Sequence, residues 1–220
     1  MVASGPIPNL PIIVVGLESR TDRRQAAIEE LQKLGLDEQA YRFFAAKPTP
    51  ENGAMGCSLS HALAMSQWLF DTTHEHCLML EDDFAVKEPQ GFWDLIQQAL
   101  SYQHGWDVFM LASNLAVPVE TTPITNVYRI FNALTTSAYI VSRRYAPRVI
   151  ELFFRSAELL RLYGSLPTIT SQTIRTFLFA CDSMWRNYQT IDRFWGCLPQ
   201  VCFQRASFSD VEQKVTDYGV

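Results

Sequence analysis

The sequence predicts an α/β sandwich, in which the strands of one central sheet alternate along the chain with helices that cover the sheet. Two observations predict this fold class. Short apolar runs alternate with longer segments whose apolar residues recur at helical spacing throughout the first half of the chain. The chain also has 220 residues, 48% of them hydrophobic, which is enough for one sizeable core. A single domain over residues 1–220 is therefore expected, and whether the chain is a fragment of a longer protein stays open.

The first strand and the first helix are the most strongly patterned elements. Pro11–Leu17 is a short apolar run rich in β-branched residues, as in a strand that is buried on both faces of a parallel sheet. A helix is predicted over Thr21–Leu34, because Ala27 and Leu31 belong to an apolar series at helical spacing. Gly35 follows as a candidate C-cap.

The alternation continues along the chain. Further strands are predicted at Tyr41–Ala45, His76–Leu80, Asp107–Leu111, Val127–Phe131, Ser137–Ser142 and Arg193–Phe203. Further helices are predicted at Ser58–Phe70, Phe92–Tyr102, Arg144–Leu162 and Thr170–Gln189. Ala116–Thr125, with its prolines and threonines, is predicted as a long loop.

Composition excludes several classes of function. The net charge is −5 and the pI is about 5.4, so a basic surface for nucleic acid is not expected. The apolar runs are far shorter than the ~20 residues of a membrane span, and no signal pattern opens the chain, so a cytoplasmic protein without an integral membrane segment is expected. Five cysteines without a C-x-x-C pair argue against a disulfide framework and predict mostly packed thiols.

Three adjacent acids follow the strand predicted at His76–Leu80. Glu81, Asp82 and Asp83 would lie at the carboxyl end of that strand, where open α/β sheets bind ligands. Three carboxylates repel one another unless a cation lies among them, and Mg²⁺ or Mn²⁺ prefers oxygen ligands. In an extended chain Glu81 and Asp83 would share one side and Asp82 would face the other. The alternative is a solvated turn with no metal.

Two upstream segments accompany the acids. In Gly53–His61, two glycines and small hydroxyl residues open an apolar helix, where N–H and hydroxyl groups can donate to an anion or a ribose. The alternative is a helix capped by Ser58 with no ligand present. In Glu18–Arg24, three arginines stand at the start of the first predicted helix, where cations oppose the helix dipole. At least one of these arginines is therefore expected to meet an acid or a phosphate.

The order of these segments resembles glycosyltransferase family 25. R-x-D-R-R at Arg20–Arg24, G-C-x-L-S-H at Gly56–His61 and L-E-D-D at Leu80–Asp83 follow one another as in that family. The C-terminal LPQVCFQRASFSD is more loosely similar. The family includes bacterial lipopolysaccharide galactosyltransferases, the collagen hydroxylysine galactosyltransferases and relatives in large DNA viruses. The chain departs from it at Gly16-Leu17, where an Asn-Leu pair is more usual.

The resemblance implies a GT-A-type nucleotide-binding sandwich with a mixed, mostly parallel central sheet flanked by helices. It implies Mn²⁺ or Mg²⁺ on the diphosphate of a UDP-hexose, with Asp83 as the main metal ligand and Glu81 as a second. The residues expected to contact the nucleotide sugar are Gly16, Leu17, Arg20, Arg24, Ser60, His61, Glu81 and Asp82.

The resemblance also implies inversion at the sugar, which requires one general base on the acceptor side. Asp182, among apolar residues, is the main candidate, and a helix N-cap is its alternative role. Asp210 and Asp107 are weaker candidates. The expected function is metal-dependent transfer of a hexose to a hydroxyl group of a glycan or glycoprotein. The alternatives are a nucleotidyl- or phosphotransferase that uses the same acids, and a catalytically silent binding module of the same fold.

Overall fold

The structure, a computed structural model of the chain, describes residues 8–115, 119–164, 178–209 and 214–216. Within these ranges the helices are α1 Thr21–Lys33, α2 Gly53–Asp71, α3 Pro89–Ser101, α4 Ala146–Gly164 and α5 Cys181–Arg186. The strands are β1 Ile12–Gly16, β2 Arg42–Ala45, β3 His76–Glu81, β4 Phe84–Val86, β5 Val108–Met110, β6 Asn114–Leu115, β7 Val119–Thr121, β8 Val127–Ile130, β9 Ala133–Leu134, β10 Ala138–Ser142, β11 Phe194–Cys197, β12 Cys202–Gln204, β13 Ser207–Ser209 and β14 Lys214–Thr216.

Eight strands form the central sheet in the order β2-β1-β3-β10-β5-β11-β8-β7. The pairings give β10 and β8 one direction and the other six strands the opposite one. The sheet is thus mixed and mostly parallel, and the predicted fold class is confirmed. In the register of β1 and β3, Val15 lies opposite Glu81, so the carboxyl ends of these two strands lie side by side.

Helices cover both faces of the sheet. Val14 packs on one face in a cluster that includes Leu31 of α1 and Phe92 of α3. Its neighbour Val15 packs on the other face, in a cluster with residues of α2, α4 and α5. This alternation along β1 follows from the opposite directions of successive side chains in a strand. Among the described helices, none has both the length and the apolar character needed to cross a membrane.

Several predicted boundaries differ from the structure. Helix α2 begins at Gly53 because the Asn52 side chain accepts a hydrogen bond from Met55 N at 3.2 Å, and Ser58 is a buried residue inside the helix. The predicted capping role of Ser58 is therefore wrong. The strand predicted at Arg193–Phe203 is divided into β11 and β12, with Pro199, which has no N–H to donate, between them.

Other differences lie in the second half. The predicted loop Ala116–Thr125 contains the edge strand β7, although residues 116–118 lie outside the described part of the chain. Much of the helix predicted at Thr170–Gln189 also lies outside the described residues, and its described part contains the short helix α5.

The segment from Cys202 to Arg205 packs beside the turn that contains Asp82 and Asp83. Strand β12 pairs antiparallel with β4, and Arg205 N donates to Asp83 O at 2.9 Å. Glu30 of α1 holds this arrangement in place, because its buried carboxylate accepts hydrogen bonds from Val86 N at 3.0 Å, from Lys33 at 2.6 Å and from Arg205. The fold therefore fixes the residues after Glu81 through both α1 and β12.

Replacing Glu30 with Gln should destabilise the protein by about 2–3 kcal/mol, because the change leaves the Arg205 guanidinium without its buried carboxylate partner. Chemical denaturation measures the change in the free energy of unfolding. Glu29→Gln, on the exposed side of α1, is the matched control and should change it by less than about 0.5 kcal/mol. Equal effects of the two substitutions would contradict the role given to Glu30.

Candidate active site

A pocket of about 610 Å³ opens at the carboxyl ends of β1 and β3. Its wall is formed by the turn after β3, the loop from Ala46 to Pro50, the first turns of α2 and α5, and Leu134–Thr136. The predicted site residues that line it are Gly16, Leu17, Ser60, His61, Glu81, Asp82, Asp83 and Asp182. The structure thus brings together groups from segments that are far apart in the sequence.

The acidic triplet turns as β3 ends. Strand β3 stops at Glu81, and Asp82 and Asp83 lie in the turn that precedes β4. Both aspartates reach one guanidinium: Arg23 Nη1 lies 3.0 Å from Asp82 Oδ1, and Arg23 Nη2 lies 3.1 Å from Asp83 Oδ2. The prediction that Asp82 faces away from Asp83 is therefore wrong, because the side-chain alternation of a strand does not continue through a turn.

Of the three arginines at the start of α1, Arg23 pairs with the pocket acids Asp82 and Asp83. Arg20 pairs instead with the exposed Asp22 at 2.9 Å, and the guanidinium of Arg24 lies 3.9 Å from the centre of the Phe43 ring. Neither Arg20 nor Arg24 lines the pocket. The sequence indicated that at least one arginine should meet an acid or a phosphate, but helical spacing alone did not indicate which one lies in the pocket.

Asp83 is the carboxylate best suited to a cation. Its Oδ2 forms an ion pair with Arg23 and accepts a hydrogen bond from Gln204 Nε2 at 3.1 Å, while its buried Oδ1 has no hydrogen-bond partner among the described residues. Burial and the charge of Glu81 raise the pKa of Asp83 to about 7, against the opposing effect of Arg23. Burial likewise raises the pKa of Asp82 to about 6. A hard divalent cation would satisfy Oδ1 and offset the excess negative charge, so the residues fit such an ion.

Glu81 is held by a hydrogen-bonded chain. His61 Nε2 lies 3.2 Å from Glu81 Oε1, His61 Nδ1 lies 3.0 Å from Tyr139 Oη, and Thr136 donates to the same Glu81 oxygen at 2.5 Å. Burial raises the pKa of Glu81, but the hydrogen bonds from His61 and Thr136 outweigh burial and keep the pKa below its ordinary value. Glu81 is therefore an ionised carboxylate with a fixed orientation.

The first turns of α2 shape another part of the pocket wall. A Cβ on Gly56 would lie 2.4 Å from Thr49 Oγ1 and 2.5 Å from Lys47 O, so only glycine allows the loop to pack this closely. The Ser60 hydroxyl donates to Gly56 O at 2.5 Å and accepts from Lys47 N at 2.8 Å. Ser60 thus positions the loop next to the pocket through both of these hydrogen bonds.

Asp182 lies in the first turn of α5, and the N-cap position belongs to Ala180. Its Oδ2 accepts from Thr135 N at 3.1 Å and its Oδ1 from Ser183 N at 2.8 Å. Burial raises the pKa of Asp182 above its ordinary value, although these N–H groups oppose the change. Asp182 lines the pocket and also holds Thr135, whose φ of 78° is unusual for a non-glycine residue. Asp210 lies outside the described residues.

Sequence reasoning missed three residues of this site. Arg23 and Gln204 bind Asp83, and Thr136 binds Glu81. For Arg23 the arginine cluster was a usable signal. Thr136, just before β10, and Gln204, at the end of β12, reach the site through the fold, and nothing in their local sequence indicates those contacts.

Solved structures with similar folds include a glycosyltransferase involved in the glycosylation of the major capsid of PBCV-1. It has a TM-score of 0.51 and 12% sequence identity, over 93% of this chain and 96% of that chain. A UDP-glucose pyrophosphorylase complexed with UDP-glucose gives 0.47 at 9% identity, over 86% of this chain and 89% of that chain. A mannose-1-phosphate geranyltransferase from Thermus thermophilus gives 0.45 at 12% identity, over 92% of this chain and 76% of that chain.

The similarity to the PBCV-1 protein shows a glycosyltransferase-like fold, and the two lower scores carry no argument. No protein-family profile and no curated protein sequence matches the chain. The resemblance to glycosyltransferase family 25 therefore stays a prediction.

The raised pKa of Asp83 gives a testable dependence of stability on pH. An unfolded aspartate titrates near pH 3.9, so between about pH 4 and pH 7 the folded protein binds more protons than the unfolded chain. The contribution of Asp83 to the free energy of unfolding therefore falls as the pH is raised through this range without metal. Asp83→Asn, which stays neutral, should become more stable relative to the wild type as the pH rises from about 5 to about 8.

Denaturation in the presence of a chelator measures this difference at each pH. Asp94→Asn on the exposed side of α3 is the control for the loss of one carboxylate. If Asp83→Asn and the wild type differ by the same amount at both pH values, the pKa of Asp83 is not raised.

Proposed function

We propose that this chain is a metal-dependent glycosyltransferase that moves a hexose from a UDP-sugar to a hydroxyl group of a glycan or glycoprotein. The observation that carries the proposal is the buried Asp83 Oδ1, which has no hydrogen-bond partner among the described residues and belongs to an acidic pocket at the carboxyl ends of β1 and β3. A buried, unsatisfied carboxylate oxygen is costly unless a ligand completes it. A divalent cation on a diphosphate is a ligand that suits this position.

Three features of the pocket favour a nucleotide sugar. The acids Asp83 and Glu81 would hold Mn²⁺ or Mg²⁺ and orient it. The first turn of the 19-residue helix α2, at Gly53 and Ala54, lines the same pocket, where backbone N–H groups and the helix dipole favour an anion. Gly16 leaves room beside Asp82, because a Cβ there would lie 2.5 Å from Asp82 Oδ2. The divalent ion and the N-terminus of α2 would therefore both lie within reach of a diphosphate in this pocket.

The metal, when bound, would act as a Lewis acid that neutralises charge on the departing diphosphate. The protein's own residues would do the rest. His61 and Thr136 keep Glu81 ionised and fixed, and Arg23 offsets the charge of Asp82 and Asp83. Asp182 would accept the proton of the acceptor hydroxyl, a role for which its raised pKa makes it a better base than an exposed aspartate.

Donor binding tests the metal site directly. Calorimetric titration with a panel of nucleotide sugars should give tight binding of one UDP-hexose only when Mn²⁺ or Mg²⁺ is present. Asp83→Asn should weaken this binding by about 100-fold or more, because the substitution removes a metal ligand. Metal-independent binding, or full affinity in the variant, would exclude the proposed role of Asp83.

Turnover tests the reaction and the base. Asp182→Asn should reduce kcat by roughly 10²- to 10⁴-fold and leave donor binding nearly unchanged. Loss of donor binding would instead assign Asp182 a structural role through Thr135. Release of UDP identifies glycosyl transfer, release of pyrophosphate from a nucleoside triphosphate identifies a nucleotidyltransferase, and the absence of both binding and turnover identifies a silent module of the same fold.

A further inference from the structure

Two thiols face each other in the wall of the pocket. Cys57 Sγ of α2 lies 4.0 Å from Cys181 Sγ, at the first residue of α5. This separation is about twice the ~2.05 Å of a disulfide bond. It is close to the distance of about 3.8 Å between two thiolates on one tetrahedral Zn²⁺, given Zn–S bonds of about 2.3 Å. The two cysteines are therefore spaced as ligands of one metal ion.

Two further ligands lie beside Cys57. His61 follows Cys57 by one helical turn, so both side chains extend from the same face of α2. The ligand atoms of Cys57, His61 and Glu81 all lie within 4.8 Å of one another. Cysteine, histidine and carboxylate in such a cluster form a mixed sulfur, nitrogen and oxygen set, which favours Zn²⁺ over Mg²⁺ or Mn²⁺.

The residues around His61 suit a metal-bound imidazole. If Nε2 binds a metal, the proton of the neutral ring must lie on Nδ1, which is 3.0 Å from Tyr139 Oη. Tyr139 can accept that hydrogen bond and direct its own hydroxyl hydrogen to Met65 Sδ at 4.0 Å. Thr136 donates to Glu81 Oε1. Both non-sulfur ligands are thus fixed by outer hydrogen bonds.

We infer that Cys57, His61 and Glu81 form a binding site for Zn²⁺ or a similar thiophilic ion, which shares Glu81 with the Asp83 site, and that Cys181, whose Sγ lies 4.0 Å from Cys57 Sγ, completes the ligand set when the ion binds. Such an ion would tie α2, β3 and α5 together along one wall of the pocket. Because both thiols must lose their protons to bind it, binding would release about two protons. The inference does not rest on the proposed glycosyl transfer, since it concerns the protein without any nucleotide.

Co²⁺ is the probe that reports directly on the ligands. Added to the reduced full chain, one equivalent should give a sulfur-to-cobalt charge-transfer band in the near ultraviolet and the visible bands of a tetrahedral site, and Zn²⁺ should abolish both. The double variant Cys57→Ser, Cys181→Ser should lose the charge-transfer band and bind Zn²⁺ at least about 100-fold more weakly. Cys197→Ser, a buried cysteine of β11 away from the pocket, is the matched control and should keep the band.

A second measurement uses the wild type alone, in case the double variant does not fold. Zn²⁺ should slow alkylation of Cys57 and Cys181, read by mass spectrometry, and leave that of Cys197 unchanged. Absence of the charge-transfer band, or equal alkylation with and without Zn²⁺, would overturn the inference. Asp83→Asn should keep the Co²⁺ band, so the two proposed metal sites can fail independently.

Discussion

The ion pairs of Arg23 with Asp82 and Asp83 are the constraint on which the rest of the site depends. Burying two adjacent carboxylates without a cation would cost several kcal/mol per charge. Arg23 supplies that cation from the first turn of α1, where a positive charge opposes the helix dipole, so its position there is set by the acids and not by the helix. Gly16 belongs to the same constraint, because any side chain at the end of β1 would collide with Asp82.

Strand β12 and the residue after it add further contacts to Asp83, beside the ion pair with Arg23. Gln204 donates to Asp83 although the two residues are 121 positions apart, and Arg205 bonds both to the backbone of Asp83 and to Glu30. The Arg23 guanidinium and the Gln204 amide therefore both hold Asp83 Oδ2. Its other oxygen is left with no protein partner among the described residues. The asymmetry of this one carboxylate is what makes the pocket suited to a cation.

Local pattern was enough to predict much of the first half of the fold. The continuous apolar run of β1, the helical spacing in α1 and the position of Gly35, with its φ of 79°, were predicted correctly because each depends on neighbouring residues. Strand order and the reversal of β10 and β8 depend on pairing between distant segments, which periodicity does not encode. The same limit applies to the site: the acidic triplet is visible in the sequence, but its partners Thr136 and Gln204 are not.

Glu81 shows how one fold can separate two kinds of cation. It lines the same pocket as Asp83, whose side chain offers only oxygen atoms, and it belongs to a cluster with Cys57 and His61, beside which the sulfur atom of Cys181 lies. A hard ion gains little from thiols, and a thiophilic ion gains little from Asp83, so the ligand atoms sort the two ions without any difference in pocket size. Because a single carboxylate borders both positions, an ion in the thiol cluster would compete for Glu81 with an ion on Asp83. Occupancy of one position is therefore expected to weaken the other, which would make the pocket sensitive to the metal that fills it.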